Sequence, residues 1–387
     1  MRKILMIFVV LICIVGGVFV ILWESGMFGE SAGGRRSVDN DITEKSPDVS
    51  DNADAADKTT SETIDPNADE KPVDTTETTE DAVSELVDKT MAEMSLHDKV
   101  CQMMFVTPEG LTGTDDVMVA GDATKQALQA YPVGGIIYFA NNFDNVDQTR
   151  DMISNTQSYS KIGLFIATDE EGGRVNRIMD TLGTTYIGPM YDYKDDGPDA
   201  AFENAKTIAS DMSALGFNLD FAPVADVWSN PDNTVIGDRA YSDDYAQAAE
   251  LVGSAVKGFQ DGGVICTLKH FPGHGDTAED SHYSSAYVNR TKAQIMADEM
   301  QPFRTGIDAG AELVMVGHLI VPDIDELPST LSYKIATEML RGDMKFDGVA
   351  ITDSMEMESI ADNYGVADSA VMAVQAGMDM LLQPADL

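Results

Sequence analysis

Apolar residues along this chain come in short unbroken runs rather than in strict alternation. The runs are Met103–Val106, Gly135–Ala140, Leu164–Asp169, Leu219–Asp226, Val264–His270, Leu313–His318, Gly348–Asp353 and Asp379–Gln383. Polar or Gly-rich segments follow them, and stretches with helical spacing lie between, such as Ala200–Leu215, Tyr245–Gln260, Lys292–Ala309 and Tyr333–Met344. A strand whose two faces are both covered reads as a continuous apolar run, as in parallel sheets flanked by helices. Eight such units predict an α/β fold, a (β/α)8 TIM-type barrel. A doubly wound open sheet is the alternative, but no GxGxxG follows the first run, which argues against a dinucleotide fold. A further helix is expected at Ala82–Met94, with Leu86, Val87 and Met91 along one side. Only Pro384–Leu387 follow the eighth run. The pattern therefore predicts a barrel truncated after its eighth strand, with apolar faces of the first and eighth strands uncovered.

The first hundred residues follow a different pattern. Ile4–Trp23 is apolar and uncharged, long enough as a helix to cross about 30 Å of hydrocarbon. Arg2 and Lys3 precede it, Trp23 suits an interfacial position, and no Ala-x-Ala cleavage site follows. An uncleaved membrane anchor with the rest of the chain outside the cell is the reading favoured over a cleaved signal and a secreted product. Arg35 and Arg36 on the far side weaken the orientation argument. Cys13 lacks the small preceding residue of a lipoprotein site. No aromatic residue occurs between Phe28 and Phe105, and residues 39–81 carry 15 acidic and 3 basic side chains. Such a segment cannot bury enough apolar surface to offset its ordering entropy. The organisation expected is an anchor over 1–28, a disordered acidic spacer over 29–81 and a catalytic barrel over 82–387.

Charge and cysteine content narrow the function. With 66 Asp and Glu against 25 Lys and Arg, the 387-residue chain has a formal charge of −41, which repels phosphate backbones and excludes general nucleic-acid binding. Cys13, Cys101 and Cys266 form no CxxC pair, so neither a thiolate zinc site nor a disulfide scaffold is expected.

Chemistry in a barrel sits at the C-terminal ends of the strands, and polar residues collect there. The third run ends in Asp169-Glu170-Glu171-Gly172-Gly173-Arg174-Val175-Asn176-Arg177, the fourth in Asp226, the fifth in Lys269-His270-Phe271-Pro272-Gly273-His274, the sixth in His318 and the seventh in Asp353. Each has a structural alternative: Asp353 as a helix cap, Lys269 as half of an ion pair, the glycines as ordinary turns. Lys269 and His270 would face opposite ways on a regular strand, but twist at a strand end lets both reach the cleft. A metal pair of His270 and His274 is disfavoured by the cation of Lys269 and by the absence of a third ligand at diagnostic spacing, so no metal or cofactor is expected. Asp280 and His282 are two residues apart in a polar, Gly-bounded segment. On an extended stretch they share a side, which lets the carboxylate hold one imidazole nitrogen while the other exchanges a proton. His97 lies in a polar stretch and is expected to be exposed.

Together these residues resemble glycoside hydrolase family 3, in its bacterial β-N-acetylglucosaminidase branch, over residues 90–386. The resemblance rests on Asp-Glu-Glu-Gly-Gly-Arg-Val at 169–175, Phe-Ala-Pro-Val-Ala-Asp-Val at 221–227, Ile-Gly-Asp-Arg-Ala-Tyr at 236–241, Lys-His-Phe-Pro-Gly-His-Gly-Asp-Thr at 269–277, Asp-Ser-His at 280–282 and Gly-Val-Ala-Ile-Thr-Asp-Ser-Met at 348–355. It implies a retaining exo-β-N-acetylglucosaminidase acting on carbohydrate, such as peptidoglycan fragments or amino-sugar oligosaccharides. It also implies that Asp353 is the nucleophile, His282 the acid/base with Asp280 as partner, and Asp169, Arg177, Arg239, Lys269 and His270 the residues that grip the sugar. A phosphorylase, a β-glucosidase or β-xylosidase of the same family and a non-catalytic wall-binding module are the competing readings. The β-glucosidases lack this His and take their acid from a second domain, for which the chain leaves no room. Two positions depart from the pattern: Glu170 stands where Gln or His is usual, and Ser354 where Asp is frequent.

Overall fold

The computed structural model describes residues 75–277 and 286–384. Its frame is a set of eight parallel strands: β1 Met104–Val106, β2 Gly135–Ile137, β3 Phe165–Thr168, β4 Leu219–Asp220, β5 Ile265–Phe271, β6 Leu313–Val316, β7 Val349–Thr352 and β8 Leu381–Leu382. They neighbour one another in chain order, and β8 returns to β1 with Met104 opposite Leu381. The remaining seam, between β7 and β8, is joined by a bridge between Ile351 and Met380. There the Thr352 N–H donates to the Met380 carbonyl at 3.1 Å and the Asp379 N–H to the Ala350 carbonyl at 2.9 Å. The barrel is thus nearly closed.

The unbroken apolar runs have a direct cause. Phe105, Ile137, Phe165, Leu219, Leu313 and Ile351 point into the barrel and form one buried cluster. Their neighbours Ile136, Ile166, Cys266, Val314, Ala350 and Leu381 point out and join the larger cluster beneath the helices. Both faces lose water, so both select apolar side chains. Leu381 and Leu382 are buried as well. The apolar exposure expected at the first and eighth strands is absent, because each residue of β8 reaches one of the two clusters.

Three elements differ from the sequence pattern. The first helix runs Thr75–Glu93 and so begins inside the stretch read as spacer. The single helix expected over Lys292–Ala309 is two, Lys292–Ala297 and Met300–Asp308. Between them Asp298 departs from helical geometry (φ −110°, ψ −74°). Asp298 and Glu299 both pair with Arg290 there, Glu299 at 2.6 Å. The stretch expected as an ordinary helix over Tyr333–Met344 is a π-helix, Lys334–Asp343. Among the described residues no helix is long and apolar enough to cross a membrane; the anchor at 1–28 and most of the spacer lie outside them. A small parallel pair, Ala286–Tyr287 with Leu319–Ile320, stands apart from the barrel.

Candidate active site

The polar strand ends meet at one mouth, as the barrel requires. At the end of β3, side-chain alternation sends Asp169 and Glu171 to one side and Glu170 to the other. Lys269, at the end of β5, reaches both of the first two: its Nζ lies 3.0 Å from Asp169 Oδ1 and 2.6 Å from Glu171 Oε1. Arg239 grips Glu171 in bidentate fashion, Nε to Oε2 at 2.7 Å and Nη2 to Oε1 at 2.8 Å. Its Nη1 donates to the Val235 carbonyl. Arg177 closes the group with Nη2 3.8 Å from Asp169 Oδ2. Five of the charged residues at the mouth thus form one wall in which cations and anions alternate.

Burial works against the charges of Glu171, Lys269 and Arg239 and loses to their partners. Desolvation pushes the Glu171 carboxyl up, but Arg239 and Lys269 together hold it far below the usual carboxylate range. Desolvation pushes Lys269 down, and Asp169 and Glu171 raise it beyond its usual value. Glu171 and Lys269 are therefore both ionised at neutral pH. Charged donors and acceptors at fixed positions suit the recognition of sugar hydroxyls.

His270 enters from a second buried carboxylate. Asp226 Oδ2 lies 2.6 Å from His270 Nδ1 and accepts the His270 backbone N–H at 3.1 Å, while Oδ1 accepts the His274 N–H at 2.7 Å. The peptide between Lys269 and His270 is cis. Lys269 engages the end of β3 while the next residue engages Asp226, so both reach the cleft. Asp226 is itself held below the usual carboxylate range, since His270 and His274 outweigh its burial. The His274 imidazole is pushed down to about 4 by burial and is neutral, although Asp226 and Asp353 both oppose the shift. Its Nδ1 lies 2.7 Å from Thr277 Oγ1, and Asn233 donates to its carbonyl at 2.8 Å. Gly275 follows where a Cβ would lie 1.6 Å from the Val227 carbonyl oxygen, so only glycine fits this approach to the loop after β4.

Asp353 follows β7 directly. Its N–H donates to the Val316 carbonyl at 2.9 Å, and its Oδ1 accepts the Ser354 N–H at 2.8 Å. The Ser354 carbonyl lies 2.8 Å from His318 Nε2, whose other ring nitrogen is 2.8 Å from Thr330 Oγ1. The turn bearing Asp353 is therefore braced from β6. Asp353 is half-buried, which leaves part of its side chain accessible at the mouth.

Residues 95–387 match the glycosyl hydrolase family 3 N terminal domain. The chain belongs to glycoside hydrolase family 3. It is 37% identical over 278 residues to a β-hexosaminidase of Chromobacterium violaceum, covering 69% of this chain and 77% of that protein. It is 36% identical over 284 residues to β-hexosaminidase A of Pseudoalteromonas piscicida, covering 67% of this chain but only 47% of that one. The chain thus spans about half the length of that second relative. Among solved structures, it resembles a family 3 β-N-acetylglucosaminidase from Paenibacillus sp. str. FPU-7 with a TM-score of 0.70 at 38% identity, covering 75% of this chain and 55% of that one. It also resembles NagZ from Neisseria gonorrhoeae in complex with N-trifluoroacetyl-D-glucosamine, with a TM-score of 0.66 at 30% identity, covering 73% and 81%.

For this family 3 chain, the structure brings Asp169, Arg177, Arg239, Lys269 and His270 to the mouth, with Asp353 on the β7 side. Asp280 and His282 lie outside the described residues. His97 is exposed, with Nε2 2.7 Å from the Ala130 carbonyl oxygen. The ion-pair alternative for Lys269 holds at the same time as its place in the site. Two residues were under-read. Glu171 shares the side of Asp169, which i, i+2 parity at a strand end signals. Asp226 was noted as a strand end without a role; nothing local in the sequence announces that it receives the His270 ring. Among the described residues no group of three His, Cys, Asp or Glu side chains is arranged to hold a metal ion.

Proposed function

We propose that this chain is a β-N-acetylhexosaminidase that releases terminal N-acetyl-hexosamine with retention of anomeric configuration. The observation that carries this is the half-buried Asp353, oriented by Ser354 and Val316, at the same mouth as a preassembled wall of sugar-gripping charges. The β-hexosaminidase relatives supply the amino-sugar specificity. An oxocarbenium-like transition state needs an anion beneath the ring and a proton donor at the leaving oxygen. In this reading, Asp353 attacks the anomeric carbon as the leaving oxygen takes a proton, and a covalent glycosyl-enzyme forms. His282, held by Asp280, gives that proton and later takes one from the attacking water. Asp169, Arg177, Arg239, Lys269 and His270 hold the hydroxyls and the acetamido group. The substrate class that fits an anchored chain facing outward is peptidoglycan fragments, with residues 1–28 holding the head at the membrane over the acidic spacer.

The test is hydrolysis of chromogenic β-N-acetylglucosaminide beside β-glucoside and β-xyloside, with and without phosphate. Preference for the first and free amino sugar as product support the reading. A phosphorylated sugar product would make the chain a phosphorylase, and preference for glucoside would move it to another branch. A mechanism-based 2-fluoro sugar should label Asp353, and Asp353→Ala should abolish turnover in a folded protein; label elsewhere refutes the nucleophile. In His282→Ala, azide should partly restore turnover of an activated aryl glycoside, because a small anion needs no general base. An unchanged rate on natural disaccharides in that variant would overturn the dyad.

A further inference from the structure

Two arginines stand at the mouth, and they are held very differently. Arg239 is fixed through its head, with a bidentate grip on Glu171 and a third bond to the Val235 carbonyl. Among the described residues, the Arg177 guanidinium has the 3.8 Å approach to Asp169 and the face of the Phe139 ring 5.7 Å away. Its buried Nε finds no hydrogen-bond partner among the described residues. A guanidinium so lightly held is placed by its backbone.

That backbone is gathered by Glu170. The Glu170 side chain is 1% exposed and, unlike those of Asp169 and Glu171, bonds backbone rather than the wall of charges. Its Oε2 accepts the N–H of Arg177 at 2.6 Å and of Ile178 at 2.9 Å, and its Oε1 accepts the N–H of Met179 at 3.2 Å. Its own N–H donates to Asp220 Oδ1 at 3.0 Å. The loop between is drawn tight by the Glu171 N–H on the Val175 carbonyl at 2.9 Å. Gly172 and Gly173 turn it at φ +84° and +57°. A carboxylate has two oxygens with four lone-pair sites, so it can accept all three N–H groups at once; an amide has one oxygen and turns a donor toward them.

We propose that Glu170 is a positioning residue for substrate binding: by gathering the backbone N–H groups of residues 177–179 it sets Arg177 beside Asp169, without touching the sugar itself. This rests on the reading above that Arg177 and Asp169 hold the sugar. It assigns a task to the carboxylate between Asp169 and Glu171 that takes no part in the wall, at the position where the sequence departs from the usual Gln or His.

The experiment is a double-mutant cycle between positions 170 and 177, read as kcat and KM on the chromogenic amino-sugar glycoside. Glu170→Ala should raise KM about tenfold or more, the worth of one charge-assisted contact, with kcat within about threefold. Glu170→Gln keeps one acceptor and should recover about half of that loss on a logarithmic scale. On an Arg177→Ala background, Glu170→Ala should add less than about twofold, since the contact it serves is gone. A wild-type KM in Glu170→Ala, an equal fall in kcat and kcat/KM, or full additivity with Arg177→Ala would overturn the proposal. If Glu170→Ala does not fold, the same cycle with Glu170→Gln decides it, with circular dichroism confirming the fold. Wild-type turnover judges the functional reading separately: if the enzyme prefers another glycoside, that reading falls, and the cycle is read on the preferred one.

Discussion

Glu170 and Glu171 are neighbours of one kind, both buried, at the end of one strand, and their environments pull in opposite directions. Glu171 faces the mouth between two full positive charges, and its carboxyl is held far below the usual range. Glu170 takes no part in the wall and receives three backbone N–H groups. Those dipoles do not offset burial, and its carboxyl is pushed up to about 7. Asp220 behind it is raised as well, with burial the largest cause and the Glu170 charge adding to it. A single step along a strand separates a permanently ionised ligand-facing anion from a carboxyl that titrates near neutrality. The number of full cations within reach, not the degree of burial, separates the two.

The comparison breaks most sharply at Glu171. Glu171→Gln leaves Lys269 and Arg239 buried with only part of their countercharge, and removing one partner of a buried ion pair costs about 3–5 kcal/mol. A large fall in the denaturant midpoint is expected, together with loss of turnover; a midpoint within error of wild type would show that the wall is not held by its charges.

The two glutamates also act oppositely on stability with pH. Glu171, with its folded pKa below the unfolded value, contributes stability that is present above about pH 4.5 and lost as pH falls below it. Glu170, with its pKa raised from 4.5 to about 7, binds a proton more tightly in the folded state, so its effect is to lower stability as pH rises from 4.5 to 7. Glu299, raised to about 7 by burial despite Arg290, adds to the same trend. His274, lowered to about 4, works the other way between pH 4 and 6.5, but two raised carboxyls outweigh one imidazole, so melting temperature should be higher at pH 5 than at pH 8 and fall again in stronger acid. A steady rise from pH 5 to 8 would contradict the assignment.

The smallest effect sharpens the same contrast. Glu170→Gln removes one titrating group while keeping an acceptor for the loop, so the drop in melting temperature between pH 5 and pH 8 should shrink but persist through Glu299. An identical drop would mean that Glu170 does not titrate in this window.

Much of this was legible in the sequence because a parallel barrel writes its strands as apolar runs and its site as the polar residues that end them. Asp169, Lys269, His270 and Asp353 are all polar strand ends that this pattern assigns to the mouth, where the structure has them. The exceptions share a cause: they depend on contacts between segments distant in the chain. Helical spacing over Lys292–Ala309 carries no sign that Arg290 draws Asp298 and Glu299 into a break. The burial of Leu381 likewise depends on which cluster β8 reaches. The same holds for Asp226, whose partner lies 44 residues away, and for Glu170, whose parity placed it on the far side while the segment it ties follows seven to nine residues later.

The joining of β8 to both β1 and β7 also has a consequence for the order of events during synthesis. Met104 pairs with Leu381, so the first strand of the barrel waits for the eighth before its second edge is covered. The strand that presents Asp353 is bound on one side to β6 and on the other to the stretch around Met380. Contacts of such long sequence separation form late, because the intervening loop must close before they contribute. A nascent chain stalled before Met380 therefore has its wall of charges encoded in full and its Asp353-bearing strand exposed along one edge. It would be open to edge pairing with other chains, and that hazard ends only when the final strand arrives.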